Sequence, residues 1–356
     1  MTSDAFGPAD AADLAAGAQL LASGGGGEVA TAELLLTSTL AAAAHDGRGL
    51  TVVAAKDLAP DDLIVHVGIA GSPDVFAERL IDPRDVAAAV RMMERRLQRR
   101  VAAIGVIEIG GLNALLAPIS AITMDLPLID GDIMGRAFPF IEQTTLARAG
   151  HRPDPLVLTS PSGDVAVYEG RTPAARQRLL LSGIAAMGGL AAVAMYPVTA
   201  SQLSADGISG SVTAARSYGR RYREHIATDR SGDLDAIALA IGAHPIGRAR
   251  IDEVIARNGP DIGSASLHDV TDGSILRLDY LEEYVLVSSD GVAVAAAPNV
   301  IIAIDHTTFR PLLSHELRTG NTVLLMSLPA LHEWGDTTAD LVGPGAYGIH
   351  FEETRR

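Results

Sequence analysis

The first half of the chain alternates between two hydrophobic patterns. Apolar residues recur at helical spacing in some segments, and short apolar or β-branched runs separate them. The first pattern predicts helices packed on one face, and the second predicts buried strands. The predicted helices are 9–22, 31–44, 85–100 and 114–124, and the predicted strands are 49–55, 63–69, 101–109 and 127–129. This alternation is typical of an α/β domain with a mainly parallel sheet.

The pattern changes in the second half. Residues 157–169 resemble a hairpin that turns at Ser162-Gly163-Asp164, and 173–195 and 212–227 have helical character. Seven short strands are then predicted between residues 247 and 327. Such closely spaced strands favour a β-rich domain that resembles a sandwich or a barrel.

A chain of 356 residues is long enough for two domains. We predict an α/β domain over residues 1–170, which carries the glycine-rich and acidic motifs described below. The C-terminal domain is predicted over 171–356, helical in 171–245 and β-rich in 246–356.

The apolar run 179–195 has about the minimum length of a membrane span. Because Gly183, Gly188 and Gly189 interrupt it, we interpret it as a helix buried in the core or between subunits, and we expect a homo-oligomer with no membrane partner. We see no basic segment followed by an apolar run near the N-terminus, and we therefore expect a soluble, cytoplasmic protein.

Composition narrows the possible functions. The net charge of −15 argues against a nucleic-acid partner, which would require clustered cations. The partner that we expect is a small-molecule substrate. The chain has no cysteine, so thiolate nucleophiles and zinc–thiolate sites are excluded. His, Asp, Glu, Ser, Thr, Lys and Tyr remain as candidates for any chemistry.

Acidic residues stand at the carboxyl ends of two of the predicted strands. Glu108 lies in an apolar run, Asp130 and Asp132 come directly after residue 129, and Arg136 follows four residues later. In open α/β sheets, ligands bind beyond the carboxyl ends of the strands. We therefore predict a polar pocket there. An aspartate could instead cap a helix or organise a turn, and Glu108 could simply pair with Arg136.

Three further features allow two interpretations each. The four glycines at 24–27 could form a flexible loop or let the backbone approach a ligand. His66, inside a strand, could be a core residue or a metal ligand. Ser72 could be a nucleophile, but we find no paired base, so a polar contact or a cap is favoured.

Together these motifs resemble the family once called DUF917 and now named after S-methyl thiohydantoin desulfurase, which is often grouped with hydantoinase and oxoprolinase proteins. The resemblance spans nearly the whole chain. The matching segments are 21–27, 67–73, 108–113, 130–139, 297–301, 315–323 and 342–348.

The resemblance implies two domains and a reaction in which water replaces methanethiol on a five-membered ring, leaving a hydantoin. Four positions depart from the family pattern. Phe140 stands where glutamate is usual, with Glu142 two residues later, Ile133 replaces a glycine, and Asn299 replaces an aspartate. The Gly-Phe pair usual near 258–263 is missing.

Hydrolysis of an amide-like or amidine-like carbon needs a group that activates water, a group that stabilises charge and a proton donor. We predict that carboxylates activate water, with a divalent metal ion such as zinc as a candidate cofactor. The predicted catalytic residues are Asp130, Asp132 and Glu108, and the predicted metal ligands are Asp130, Asp132 and His66. The predicted substrate-binding residues are Gly24, Gly25, Gly26, Gly27, Ser72, Gly110, Gly111, Asn113, Arg136 and Glu142.

The sequence thus favours a hydrolase of a small cyclic amide or amidine. Two alternatives stay open at this point. One is a lyase or acyl-transfer enzyme that uses the same carboxylates. The other is a non-catalytic small-molecule-binding protein, or a subunit of a larger hydantoinase-like assembly.

Overall fold

The computed structural model describes residues 6–79, 82–258, 261–335 and 338–349. Its strands are β1 (Val52–Val53), β2 (Leu63–Gly71), β3 (Val101–Val106), β4 (Leu128–Ile129), β5 (Gly131–Asp132), β6 (Leu156–Thr159), β7 (Val165–Tyr168), β8 (Leu190–Thr199), β9 (Ile208–Ser209), β10 (His244–Ile255), β11 (Gly263–Asp269), β12 (Ile275–Tyr280), β13 (Tyr284–Ser289), β14 (Val292–Ala296), β15 (Val300–Asp305) and β16 (Thr322–Leu328).

Helices cover the first sheet and connect the two halves of the chain. They are α1 (Pro8–Leu21), α2 (Ala30–His45), α3 (Pro73–Glu78), α4 (Pro83–Leu97), α5 (Asn113–Met124), α6 (Thr145–Arg148), α7 (Pro173–Ala186), α8 (Ala200–Asp206), α9 (Ser211–Thr228), α10 (Leu234–Ile241) and α11 (Thr338–Leu341).

Within the described residues, the first sheet has seven strands in the order β1-β4-β3-β2-β8-β6-β7. The pairs from β1 to β2 are parallel, whereas β2–β8, β8–β6 and β6–β7 are antiparallel. The α/β architecture is confirmed, but the expected mainly parallel sheet is not, because the sheet is mixed. The hairpin expected at 157–169 supplies two of its antiparallel strands.

Strand β8 also corrects the single helix predicted over 173–195. Helix α7 ends at Ala186, and Gly188 and Gly189 then adopt φ values of 81° and 89°. Left-handed residues end a helix, and glycine adopts that conformation without steric cost. The remaining apolar residues enter the sheet between β2 and β6, so their burial is explained within one chain. The homo-oligomer stays a prediction.

None of the helices in the described part of the chain combines the length and the apolar character needed to cross a membrane.

The C-terminal half contains the seven predicted strands, but they form one sheet and not a sandwich. Its order across the described residues is β14-β13-β12-β11-β10-β16-β15, and every pair is antiparallel. Irregular register between Ile251 and Glu253 and between Val287 and Ser288 bends the strands. The sheet therefore curls into a half-barrel around its own apolar cluster, which includes Leu278.

Helices α1 and α9 touch through their backbones. A Cβ atom added to Gly17 would lie 1.8 Å from the carbonyl oxygen of Ala215, and one added to Gly219 would lie 1.8 Å from that of Asp13. No side chain fits at either position. Asp10 and Asp13 of α1 form ion pairs with arginines of α9, which are Arg216, Arg220 and Arg223.

We expect Gly219→Ala to destabilise the protein. Alanine raises helix propensity by about 1 kcal/mol, but the backbone clash forces the two helices apart, and overpacking of this kind costs roughly 1–3 kcal/mol. Denaturant unfolding should show a lower free energy of unfolding. Gly49→Ala is the matched control, because no atom lies within 4 Å of a Cβ added there. Equal stability of the two variants would contradict the close helix contact.

Candidate functional site

The glycine loop 24–27 lies where the two domains meet. A Cβ atom on Gly24 would lie 2.7 Å from the ring of Tyr284, and one on Gly25 would lie 2.2 Å from a carboxyl oxygen of Glu283. On the other side, the N–H of Leu112 donates to the carbonyl of Gly26 at 2.8 Å. The loop therefore joins the β3–α5 connection of the first domain to β13 of the second.

Close approaches of neighbouring backbone explain the next glycine pair, Gly110 and Gly111. A Cβ atom on Gly111, where φ is 76°, would lie 2.2 Å from the carbonyl oxygen of Gly26. One on Gly110 would lie 2.5 Å from the backbone of both Leu21 and Ala137. These glycines bring three backbone segments into contact. Whether they also donate N–H groups to a substrate stays a prediction.

Glu108 lies just beyond the carboxyl end of β3 and is only 9% exposed. Its carboxyl oxygen accepts a hydrogen bond of 2.7 Å from the amide of Asn113. Burial raises its pKa to about 8, and the charge of Asp132 adds to that rise, while the Asn113 amide and the N–H of Phe138 hold it down. Glu108 is therefore mostly a neutral acid at pH 7.

Asn113, the first residue of α5, holds Glu108 against the neighbouring strand. Its side-chain oxygen accepts from the N–H of Ile69 at 2.7 Å, and its amide nitrogen also donates to the carbonyl of Ile69 at 3.2 Å. A Cβ on Gly68 would lie 2.7 Å from that amide, so glycine is required there. The ends of β2 and β3 thus carry a fixed amide–carboxyl pair, in the place where α/β sheets bind ligands.

The carboxylate of Asp132 organises the β5 loop. One oxygen accepts three backbone hydrogen bonds, from Ile109 at 3.0 Å, Met134 at 3.1 Å and Gly135 at 2.7 Å. Burial raises its pKa to about 6, and these N–H groups and the nearby Ser211 hydroxyl limit the rise. The other oxygen is buried and has no hydrogen bond of standard geometry within the described residues.

Asp130 faces a different neighbour. Its carboxylate accepts from the backbone N–H of Thr213 at 3.0 Å and from the Thr213 hydroxyl at 2.7 Å, in the first turn of α9. The pairing of β5 with β9 brings that helix start beside it. Asp130 and Asp132 therefore lie close in sequence but have separate hydrogen-bond partners.

His66 is a core histidine in the middle of β2. It is 1% exposed, and its Nδ1 lies 3.0 Å from the carbonyl oxygen of Tyr196. Burial lowers its pKa to about 4, so the ring is neutral at physiological pH. In the part of the chain that the structure describes, no group of three or more His, Asp or Glu side chains could hold a metal ion.

Arg136 ties the acidic loop to the second domain. Its guanidinium donates to the carbonyls of Asn299 at 2.7 Å, Tyr284 at 2.9 Å and Ala137 at 3.1 Å, and it lies 4.9 Å from the centre of the Phe138 ring. Burial lowers its pKa to about 10. The contacts that the structure shows for Arg136 are thus to protein backbone and to one ring.

Two other predicted substrate-binding residues have hydrogen-bond partners other than Glu108. Glu142 accepts a hydrogen bond of 2.5 Å from Arg176 of α7, which fixes it in an ion pair. Ser72 stands at the start of α3, just beyond β2, and its N–H donates to Gly189. Their roles in binding stay predictions.

Sequence reasoning missed Glu283, which lies in the turn before β13. Its side chain is 3% exposed, and the buried oxygen Oε2 has no hydrogen-bond partner among the described residues. Burial raises its pKa to about 8, the charges of Glu282 and Glu108 add to the rise, and Arg136 opposes it. The sequence feature that could have identified Glu283 is a glutamate next to strand-forming residues, in Leu281-Glu282-Glu283-Tyr284.

The C-terminal segment reaches the same place through Tyr347. Burial and the charge of Glu283 raise the pKa of Tyr347, while Arg136 lowers it. The Tyr347 ring stacks on Phe140 with centres 6.2 Å apart, and its hydroxyl lies 3.0 Å from the amide of Gln143. Phe140, one of the departures from the family pattern, therefore packs on a ring whose pKa is affected by Glu283 and Arg136.

Two surface clefts lie away from these acids. One of about 240 Å³ is lined by residues around Arg48 and Pro127, and one of about 450 Å³ lies between Tyr222, Arg230 and Phe309. Neither is lined by a residue that the sequence predicted for the site.

Comparisons with known proteins agree with this architecture. The model described as "S-Me-THD-like, N-terminal domain" matches residues 9–170, and "S-Me-THD-like, C-terminal domain" matches residues 172–355. No curated protein matches the chain.

A similar solved structure is the X-ray crystal structure of a protein from Chromobacterium violaceum, a structural genomics target. It has a TM-score of 0.78 and 22% identity, and the match covers 98% of each chain. At this identity the likeness concerns the fold alone. The two family models together account for nearly every residue, and the resemblance drawn from the motifs is thereby confirmed: the chain belongs to the S-Me-THD-like family.

Proposed function

We propose that this protein is a hydrolase of a small cyclic amide or amidine, such as a hydantoin-like or thiohydantoin-like ring. Family membership suggests a desulfurase- or hydantoinase-related enzyme. The observation that carries the proposal is Glu108, a buried carboxyl fixed by Asn113 at the strand ends, with its pKa raised to about 8. Buried, shifted carboxyls at such a place are typical of acid–base catalysis.

Glu108 would act as the proton carrier. In its ionised form it takes a proton from water while the water oxygen bonds to the ring carbon. The bond from that carbon to the leaving sulfur or nitrogen then breaks, and Glu108 returns the proton to the leaving atom. For a thioether leaving group, the second water proton ends on the ring nitrogen, and a carbonyl remains.

The neighbours of Glu108 position it. Asn113 holds its carboxyl toward the end of β2 through the two hydrogen bonds to Ile69. Asp132 binds the N–H of Ile109 and so fixes the loop that carries Glu108. The charge of Asp132 also keeps the Glu108 proton in place. We therefore assign Asp132 as a positioning residue.

The predicted metal site does not fit this geometry. Asp130 is bound to the first turn of α9, Asp132 to three loop N–H groups, and the Nδ1 of His66 lies against a backbone carbonyl. The three side chains do not form a common ligand set in the described residues. The steps above therefore use carboxyl groups alone, and the divalent metal predicted from the sequence has no part in them.

Glu108→Gln should separate catalysis from binding. We expect turnover of an S-methyl thiohydantoin to fall by about 100-fold or more, because general acid–base groups contribute at least that much, while affinity for a hydantoin is kept. Initial rates and calorimetry measure the two effects. Glu253→Gln, at an exposed position of β10, is the matched control. If the parent protein shows no turnover and Glu108→Gln loses affinity for the hydantoin, the protein is a non-catalytic binder.

Protein stability should depend on pH through Glu108. Its pKa is raised from 4.5 to about 8 in the folded state, so between these values only the folded protein keeps the proton. The free energy of unfolding, measured relative to Glu108→Gln, should therefore fall as pH rises through this window, by about 1.4 kcal/mol per pH unit at most. Parallel pH profiles of the two proteins would contradict the raised pKa.

Metal removal tests the role of carboxyl groups directly. We expect turnover to survive dialysis against a chelator, because the described residues provide no three-ligand site. Elemental analysis before and after dialysis is the accompanying measurement. If activity disappears with the metal and returns with added zinc, the mechanism above is wrong.

A further inference from the structure

Glu283 is a buried carboxyl for which the steps above have no role. It precedes β13 and is held there because the N–H of Tyr284 donates to the carbonyl of Ser23 at 2.6 Å. Its Oε1 lies 2.2 Å from the position of a Cβ on Gly25, so the carboxyl is pressed onto the glycine loop. Its Oε2 is buried and, within the described residues, has no hydrogen-bond partner.

A buried oxygen without a partner is costly, because it has lost its hydrogen bonds to water. The nearest cation does not relieve it. The three hydrogen bonds that the structure shows for Arg136 all end on backbone carbonyls, and none in the described residues reaches Glu283. A ligand that binds Oε2 would therefore satisfy a group that the protein leaves open.

The charged and titratable groups around Glu283 in the described part of the chain affect its protonation. Glu108 and Glu282 raise its pKa, Arg136 lowers it, and Tyr347 is a neutral phenol beside it. Burial is the largest cause, and the resulting value of about 8 means that the carboxyl is mostly neutral at pH 7. Because the charge of Glu108 raises the pKa of Glu283, ionisation of Glu108 favours a protonated Glu283.

A neutral carboxyl has a distinctive recognition pattern. It presents an O–H donor and a C=O acceptor side by side. A cyclic amide presents N–H and C=O on one edge, and a cyclic amidine presents N–H and C=N. The two edges are complementary and form two parallel hydrogen bonds. An ionised carboxylate has no donor and would lose one of them.

We infer that Glu283 is a substrate-binding residue whose neutral carboxyl pairs with the N–H/C=O or N–H/C=N edge of a five-membered ring. This inference rests on the proposed function, since it presents that ring to Glu108. Gly26, Gly27 and Tyr347 are partly exposed and Phe140 is 38% exposed, and we place the entry of the ring on this side. Glu283 thus makes the C-terminal domain part of the site.

The test uses an unreactive ring that does not ionise in the working range. Calorimetry measures the affinity of 2-imidazolidinone at pH values below and above 8, and 1,3-dimethyl-2-imidazolidinone, which lacks both N–H groups, is the comparison ligand. We expect the parent protein to bind the first ring below pH 8, to lose roughly tenfold in affinity above it, and to bind the dimethyl ring poorly at both values.

Two substitutions identify the residue. Glu283→Gln keeps a donor and an acceptor but cannot ionise, so its affinity should be the same below and above pH 8. Glu283→Leu should lose affinity at both values. Glu282→Gln is the matched control on the adjacent exposed side chain and should keep the affinity of the parent protein below pH 8. Melting temperatures confirm that the variants are folded.

Three results would overturn the inference: no binding of 2-imidazolidinone by the parent protein, equal affinity for both rings, or a pH-dependent loss that persists in Glu283→Gln. The proposed function can fail separately. If thiohydantoins are not hydrolysed but the parent protein and the variants bind 2-imidazolidinone as expected, the hydrolase proposal is wrong and the binding role of Glu283 stands. If hydrolysis is observed without this pattern, only the inference falls.

Discussion

The contact between Glu283 and the glycine loop is the constraint on which the site depends. Any side chain at Gly25 would collide with the carboxyl, and any side chain at Gly26 or Gly111 would separate the loop from the β3–α5 connection. Gly24 and Gly25 let the side chains of Tyr284 and Glu283, from the second domain, approach the backbone of the loop. As a result, an acid from each domain lies close enough to a common loop for the charge of one to affect the other.

This arrangement has an electrostatic consequence. Burial of two glutamates without a dedicated cation favours the neutral forms, and both pKa values rise to about 8. Because the charge of Glu108 raises the pKa of Glu283, ionisation of Glu108 favours a protonated Glu283, and this state provides one base and one acid. That state is the one that the proposed hydrolysis uses. Burying the two acids costs free energy, and the same burial raises the pKa values on which the proposed activity depends.

The sequence predicted much of the fold because hydrophobic period and turn residues are local properties. The hairpin at 157–169 and the seven C-terminal strands were found in this way. Strand β8 was assigned to a helix because an alanine-rich run suits both structures, and only pairing with β2 and β6 decides between them. The mixed sheet and the half-barrel also depend on non-local pairing, which a single sequence does not reveal.

The site shows the same division. Glu108 was predicted as an acid in an apolar strand and Asn113 as a substrate-binding residue, and the structure brings the two into contact. The spacing of Asp130 and Asp132 suggested a shared role, yet Asp130 binds α9, which lies some eighty residues away in the sequence. Glu283 was missed because its carboxyl is buried against the glycine loop of the first domain, which is distant in the sequence. Direct measurement of the carboxyl titrations therefore tests the account best. With side-chain carboxyls of glutamate labelled with ¹³C, and with Glu108→Gln and Glu283→Gln for assignment, NMR should show two glutamates that stay protonated at pH 7. If every glutamate titrates near its ordinary value of 4.5, the paired acid site does not exist.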